Sequence, residues 1–192
     1  MAFELMQKTL DLIFPTLCLH CQTKTNRQLF CRDCIESLEL LEKEDILLYR
    51  RSIDRATIAF SKMGVAESLF SHLKKGLKPL SKIAASYMVC QLEKEKIALS
   101  DVIVPLPSKS GYKLNENLAL EIGKLFKRPI KRLFLHLPLS FFGSSLVVKK
   151  SNLHSKKILL VMALFDEDLA RKAISELQKK GFKDIELVAL CV

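Results

Sequence analysis

Two Cys-x-x-Cys pairs constrain the fold of this chain more than any other feature of its sequence. Four cysteines fall within seventeen residues, with nine residues between the pairs: Cys18, Cys21, Cys31 and Cys34. Each pair can present two thiolates to one ion, and two pairs complete the tetrahedral four-sulfur shell that structural Zn²⁺ prefers. We therefore predict one structural zinc ion. Two disulfides or unrelated core cysteines are the alternatives, and a cytoplasmic setting disfavours disulfides.

Residues 1–45 are expected to form this zinc-binding module together with flanking helices. Phe3, Met6, Leu10 and Ile13 recur at helical spacing and predict a short amphipathic helix before the first pair. The apolar residues after the second pair are also spaced as one helix face, which would pack the module onto its neighbour: Ile35, Leu38 and Leu41. His20 lies between two ligands and is expected to be a bystander.

The composition fits a globular α/β protein with a basic surface. The chain has 192 residues, of which 49% are hydrophobic, so a substantial core can form. Only six Gly and six Pro are present, which excludes fibrous and low-complexity classes. A net charge of +10 and a pI near 9.4 indicate an anionic partner, such as nucleic acid or a phosphorylated metabolite. A solvated basic surface without a partner is the alternative.

No secretory signal or membrane span is recognisable in the sequence. Glu4, Lys8 and Asp11 interrupt the apolar residues near the N-terminus. The longest uncharged run, residues 133–148, is short for a membrane span and is broken by Pro138 and Gly143. We therefore expect a soluble, cytoplasmic protein with no transmembrane helix.

The remainder of the chain, residues 46–192, alternates between apolar strands and amphipathic helices. Strands are predicted within residues 54–64, 102–104, 156–164 and 184–192. Helices are predicted within residues 66–96, with a break near Gly76 to Pro79, and within 115–128 and 168–180. This alternation predicts one α/β domain with a mostly parallel sheet, flanking helices and a right-handed C-terminal βαβ unit. Residues 144–157 fit no element clearly.

The order of the motifs resembles the competence protein F (ComF) family, whose members are amidophosphoribosyltransferase-like. LIFPTLCLHC with the later CRDC resembles the family's N-terminal zinc module, and DVIVPLP resembles its Val-Pro-x-Pro strand. Leu73 and Lys74 match a Leu-Lys pair that ends a short helix, and KLNENLALEIGKLF is similar to an Arg-Gly-Phe-Asn-Gln motif with its following helix. KKILLVMALFDEDLARKA occupies the place of the phosphoribosyl pyrophosphate motif.

This resemblance implies a fold and a role. The fold would be a type I phosphoribosyltransferase-like α/β domain behind a small four-cysteine zinc module. The role would be DNA uptake during natural transformation, with a helicase-like protein partner. That role does not follow from periodicity or charge alone.

The sequence departs from the family where substrate would bind. The family's loop has two Asp for the ribose hydroxyls, then Thr-Thr-Gly-x-Thr around the 5′-phosphate at a helix N-terminus. Here Met162 and Ala163 replace the two Asp, and acids replace the phosphate-binding residues: Asp166, Glu167 and Asp168, followed by Ala170 at the last Thr position. These carboxylates would repel a phosphate. We therefore predict a degenerate active site in which the acids stabilise the helix N-terminus; an acidic metal site is the alternative.

The Arg-Gly-Phe-Asn-Gln motif is altered as well. Tyr112, Lys113 and Leu114 replace its first three residues, and Asn115 alone remains in register. We expect Asn115 to be an ordinary helix cap, with a residual binding role as the alternative. His72, His136 and His154 have no catalytic motif around them.

Three functions are compatible with these features. The first is a non-catalytic ComF-like protein that acts through protein or nucleic-acid contacts. The second is an active phosphoribosyltransferase with a divergent substrate loop. The third is a stand-alone zinc protein that binds single-stranded nucleic acid through basic residues: Lys127, Arg128, Lys131, Arg132, Lys149, Lys150, Lys156 and Lys157.

Overall fold

The computed structural model describes residues 16–26, 28–50, 53, 55–98, 100–107, 113–137, 145–148 and 157–192. These ranges contain six strands: β1 (Ala56–Phe60), β2 (Val102–Pro105), β3 (Phe134–Leu137), β4 (Ser145–Val148), β5 (Ile158–Leu164) and β6 (Ile185–Cys191). They also contain six helices: α1 (Arg32–Glu36), α2 (Lys43–Arg50), α3 (Gly64–Lys74), α4 (Pro79–Lys94), α5 (Leu114–Phe126) and α6 (Glu167–Lys179). The predicted helix over Phe3 to Ile13 lies outside the described residues.

Four strands form one parallel sheet in the order β1–β6–β5–β2. Ile158, the first residue of β5, pairs with Val102 of β2 on one side and with Ile185 of β6 on the other. The first six residues of β5 and all seven of β6 are buried, as expected for parallel strands covered on both faces. The predicted α/β class, with a parallel sheet and flanking helices, is confirmed.

Helices cover one face of the sheet, and a helix with a hairpin covers the other. The inward residues of α3, α4 and α5 share one buried cluster with alternate residues of β5, namely Leu159, Val161 and Ala163. The inward residues of α6 share a second cluster with Leu160 and Met162. Val148 of β4 belongs to that second cluster, so the antiparallel pair β3–β4 lies on the same face as α6. The core is therefore two apolar layers separated by the sheet.

The chain leaves β2 and β5 in opposite directions. After β2 it passes through α5 to Ile130, which bridges Ile103 on the side of β2 that faces away from β5. After β5 it passes through α6 to β6. Right-handed crossovers in opposite directions place their helices on opposite faces, and α5 and α6 do lie on opposite faces. The topological switch point, where open α/β sheets bind ligands, is thus between the carboxyl ends of β2 and β5.

The helix predicted after the second Cys pair is shorter than expected. α1 has only five residues and ends at Glu36. The hydroxyl of Ser37 donates to the carbonyl of Cys34 (2.9 Å), a local bond that competes with helix continuation. The N–H of Leu41 then donates to the carbonyl of Ala59 in β1 (2.9 Å). The chain between α1 and α2 is therefore held against the sheet edge rather than coiled, although Leu38 is still buried.

The hairpin β3–β4 was not predicted from the sequence. It pairs Phe134 with Val148 and Leu137 with Ser145 within the uncharged run. Uniformly apolar residues show neither a helical nor a strand period, so the pattern could not assign them.

Among the described residues, no helix is both long and apolar enough to cross a bilayer.

Candidate metal centre and switch-point site

The sulfur atoms of the four predicted ligands lie together. All four Sγ atoms are within 4.8 Å of one another, and those of Cys21 and Cys31 are 3.5 Å apart. None of these cysteines forms a disulfide. A tetrahedral shell with metal–sulfur bonds of about 2.3 Å has sulfur–sulfur edges of about 3.8 Å. The cluster therefore has the dimensions of a site that could hold one metal ion.

Two different local structures bring the pairs together. In the first pair, the N–H of Gln22 donates to the carbonyl of Cys18 (3.0 Å), and Gln22 has a left-handed φ of 60°. An antiparallel bridge between Leu17 and Lys24 closes this turn. In the second pair, Cys31 precedes α1 as its N-cap and Cys34 lies in the first helical turn. Tight turns at both pairs direct the thiols inward.

The environment sets the charge of individual thiols. Burial raises the pKa of Cys18, but three backbone N–H groups donate to its sulfur and lower the pKa to about 6: those of Cys31, Cys21 and His20. Burial and then the neighbouring sulfurs raise the pKa of Cys34. A divalent cation favours ionisation of every thiol around it. An ion bound here would therefore favour the thiolate form of all four cysteines, despite the opposite pKa shifts of Cys18 and Cys34.

The cysteine cluster is packed onto the α/β domain. Cys18, Phe30 and Cys34 belong to the same buried cluster as the inward residues of α3 and α4. The Nδ1 atom of His20 lies 2.8 Å from Oγ of Ser68 in α3. His20 is therefore engaged by another element and is not part of the sulfur cluster.

Polar bonds from α4 fix the segment that follows the cluster. Nε2 of Gln91 donates to the carbonyl of Leu41 (3.0 Å), and Nζ of Lys94 pairs with Glu42 (2.8 Å). Gln91 is fully buried, so its bond is protected from water. These contacts join the predicted zinc module to the sheet-bearing part of the chain.

The end of β5 presents two buried apolar side chains. Met162 and Ala163 are 1% and 4% exposed, and their side chains face opposite apolar layers. Neither side chain can accept a hydrogen bond from ribose hydroxyls. Met162 and Ala163, which stand where the resembled family has two Asp, therefore leave this strand end wholly apolar.

The acid cluster at the start of α6 caps that helix. Asp166 is the N-cap, and its Oδ1 accepts a hydrogen bond from the N–H of Leu169 (2.9 Å). Glu167, in the first turn, pairs with Arg171 one turn later (2.6 Å). The predicted capping role is confirmed. Among the described residues, the only group of three or more candidate metal ligands is the cysteine cluster, so the acids do not converge as a second site.

The expectation that Asn115 is a helix cap is wrong. Lys113 is the N-cap of α5, and Asn115 is buried at the second helical position. Its Nδ2 donates to the carbonyl of Leu106 (2.8 Å), and its Oδ1 accepts from the N–H of Ala163 (2.8 Å). The amide is used between two strand ends and is not available to cap a helix. Helical spacing contains the missed signal, because Asn115 shares a face with Leu118, Ala119 and Ile122.

The side chain of Asn115 replaces one backbone hydrogen bond between β2 and β5. The N–H of Leu106 donates to the carbonyl of Val161 (3.0 Å). In a parallel ladder, the residue that donates to Val161 would next accept from the N–H of Ala163. The side-chain amide of Asn115 stands between those two groups instead, at the switch point. The crevice where a ligand would enter an open α/β sheet is therefore spanned by a side chain of the protein itself.

The predicted basic residues are not equivalent. Lys127, Arg128 and Lys131 are exposed, and no carboxylate among the described residues pairs with them. Arg132 pairs with Glu116 (2.9 Å). Lys157 pairs with Glu186 (2.7 Å) and its side chain is only 17% exposed, so it is not part of an exposed basic surface. Lys149, Lys150 and Lys156 lie outside the described residues.

The three histidines without a sequence motif lie in different parts of the chain. Nδ1 of His72 lies 2.8 Å from the carbonyl of Ser68, one turn earlier in α3. His136 is in β3. His154 lies outside the described residues, as does Tyr112.

Comparison with solved structures finds phosphoribosyltransferases. One is a purine phosphoribosyltransferase from Pyrococcus horikoshii Ot3, with a TM-score of 0.42 and 17% identity over 55% of this chain and 68% of that one. Another is the glutamine phosphoribosylpyrophosphate amidotransferase from B. subtilis, complexed with ADP and GMP. Its TM-score is 0.41 and its identity 12%, over 66% of this chain and only 26% of that one. No family model and no curated protein matches the sequence.

Replacing Asn115 by Leu should destabilise the protein strongly. The variant leaves the Leu106 carbonyl and the Ala163 N–H buried without partners, at about 1–3 kcal/mol each. Urea unfolding followed by circular dichroism measures the free energy of unfolding. Asn117→Leu is the matched control, because Asn117 is only half-buried and water can replace its contacts. Equal losses in the two variants would contradict the bridging role.

Replacing Asp166 by Ala should destabilise α6 by about 1 kcal/mol, because the Leu169 N–H loses its acceptor. Asp166→Ser keeps an acceptor at the N-cap and should lose less than about half of that. The same unfolding measurement compares both variants with the unmodified chain. A loss of equal size for Ser and Ala would show that the cap bond does not contribute.

Proposed function

We propose that this chain is a ComF-like protein that retains a zinc module and a phosphoribosyltransferase-like scaffold but has lost phosphoribosyl transfer. It acts in DNA uptake during natural transformation, or in DNA processing, through protein or nucleic-acid contacts. A helicase-like component of the uptake machinery is the protein partner that the family resemblance implies. The observation that carries the proposal is the N-terminus of α6, where Asp166 supplies the anion that the family's loop leaves to a substrate phosphate.

Two further features support the loss of catalysis. The strand end that would orient ribose hydroxyls presents Met162 and Ala163, both buried and apolar. The crevice between β2 and β5 is spanned by Asn115. A phosphoribosyl substrate would have to displace a capping carboxylate and a buried amide bridge, and it would gain no carboxylate ligand in return. The geometry therefore favours a scaffold over an enzyme.

The ligand chemistry supports Zn²⁺ as the ion of the cysteine cluster. Four thiolates in a closed tetrahedral arrangement leave no open position for substrate, which is typical of structural zinc sites. Soft thiolates also disfavour Mg²⁺ and Ca²⁺. Because Cys18 and Cys34 lie in the shared apolar cluster, such an ion would stabilise the contact between the module and α3.

Nucleic-acid binding is the alternative that a specific observation favours. The exposed Lys127, Arg128 and Lys131 follow α5 and have no carboxylate partner among the described residues. Such residues attract phosphates without sequence preference. An active phosphoribosyltransferase with a divergent loop is the other alternative, and no described residue replaces the missing acid pair.

Purified protein should contain one zinc ion per chain by elemental analysis. Cys34→Ser should remove most of the bound metal and lower the melting temperature, because one ligand is lost from a closed shell. Cys90→Ser is the matched control, since Cys90 is exposed and outside the cluster. Full metal content in Cys34→Ser, or none in the unmodified chain, would refute the assignment.

One zinc-loaded sample can test the loss of catalysis and the nucleic-acid alternative together. Isothermal titration with magnesium phosphoribosyl pyrophosphate should show no micromolar binding, because Asp166 and Asn115 occupy the site. If the chain binds single-stranded DNA through the basic segment, affinity should fall steeply with salt, and charge reversal of Lys127, Arg128 and Lys131 should reduce the salt slope by about three.

Two controls accompany the substrate titration and the DNA-binding measurement. A catalytically competent phosphoribosyltransferase verifies the substrate titration. Charge reversal of Lys172, Lys179 and Lys180 changes the net charge equally on α6 and its C-terminal end, and it should leave DNA binding nearly unaltered. Micromolar binding of magnesium phosphoribosyl pyrophosphate, or pyrophosphate release with a nucleobase or amine, would overturn the non-catalytic proposal.

A further inference from the structure

A large cleft lies beside the segment that follows the cysteine cluster, near the carboxyl end of β1. Its volume is about 870 Å³, and it opens between residues 37–45 and the start of α3. Apolar side chains form part of its lining: Leu38, Leu41, Phe60, Val65 and Tyr87. The rings of Phe60 and Tyr87 meet edge to face with centroids 5.1 Å apart, which fixes this side of the cleft. This cleft is distinct from the switch point between β2 and β5.

Three acidic residues also line this cleft, which is unusual in this basic chain. Glu39, Glu42 and Asp45 all line it and are exposed, and Lys94 is paired with Glu42. The surrounding segment, residues 33–45, contains six acids and one lysine, whereas the whole chain has a net charge of +10. Charge of the opposite sign to the rest of the protein is thus concentrated beside one cleft.

An exposed apolar stripe continues from the acidic rim. Leu48 and Tyr49 follow Asp45 by three and four positions in α2, so all three share one helix face. Leu48 is 73% exposed and Tyr49 is 39% exposed, whereas Ile46 is buried. Large apolar side chains beside a cleft are typical of protein-interaction surfaces rather than of small-molecule sites.

We propose that this acidic–apolar surface, formed by Glu39, Glu42, Asp45, Leu48 and Tyr49 around the cleft, docks a cationic amphipathic segment of a protein partner. Lys or Arg of that segment would face the carboxylates, and its apolar side chains would cover the stripe and enter the cleft. Charge disfavours nucleic acid on this surface, because its phosphates would face the exposed carboxylates of Glu39 and Asp45. The inference concerns a different surface from the proposed function and does not depend on it.

The surface can be tested on the full zinc-loaded chain with a defined probe. The probe is a fluorescent helical peptide with Leu at positions i, i+3, i+4 and i+7 and Lys elsewhere, and its binding is followed by anisotropy. Replacing Glu39 and Asp45 by Lys should weaken binding by about tenfold or more, since attraction becomes repulsion. Replacing Leu48 and Tyr49 by Ser should weaken it by a similar factor, because the apolar contact is lost.

Matched variants establish whether the effect is local. Glu121→Lys with Glu176→Lys alters the net charge equally on other helices, and Leu120→Ser with Leu125→Ser removes exposed Leu side chains from α5. Both control variants should bind within about twofold of the unmodified chain. Circular dichroism of every variant verifies that the fold is retained.

Three results would overturn the proposal. Equal binding by the surface variants and their controls would show that the peptide binds elsewhere. Equal affinity for a Lys–Gly peptide of the same charge would show attraction without an apolar site. Self-association in sedimentation velocity that the Leu48 and Tyr49 variant abolishes would identify a second copy of this chain, not a separate partner, as the occupant.

Discussion

The side-chain amide of Asn115 takes the place of a backbone hydrogen bond between β2 and β5, at the topological switch point of the parallel sheet. Beyond Leu106, β2 and β5 no longer exchange backbone hydrogen bonds directly, because the amide lies between the Leu106 carbonyl and the Ala163 N–H. The same residue belongs to the first turn of α5. One buried group therefore fixes the ends of two strands and the start of the helix that connects them.

The residues around this bridge satisfy the backbone groups at the switch point and at the start of α6. A helix N-terminus needs an acceptor for its free N–H groups, and a buried strand end needs partners for its backbone. Here Asp166 meets the first requirement and Asn115 the second, while Met162 and Ala163 complete the apolar layers. The chain itself thus supplies hydrogen-bond partners for these backbone groups.

Elements with a single strong signal could be predicted from the sequence, and elements set by tertiary contacts could not. Continuous apolar runs identified β5 and β6, and the acids before α6 identified its cap, because both effects act locally. The length of α1 depends on a bond from Leu41 to Ala59, which is distant in sequence. The hairpin β3–β4 depends on covering α6 and the sheet. Asn115 was assigned a local role because the pattern of one helix does not show which strand ends will flank it.

The net charge of the chain does not show that acidic residues are concentrated in one segment of this basic protein. Cys18 and Cys34 share an apolar layer with α3 and α4, so the cysteine cluster is structurally part of the basic α/β domain. The acids of residues 33–45 are exposed to solvent. Their charges therefore avoid the free-energy cost of burial in the low-dielectric core. Because any ion in the cluster would hold α1 in place, it would also hold the acidic segment that follows α1. Hydrogen bonds of Ser37 and Leu41 join that segment to Cys34 and to β1.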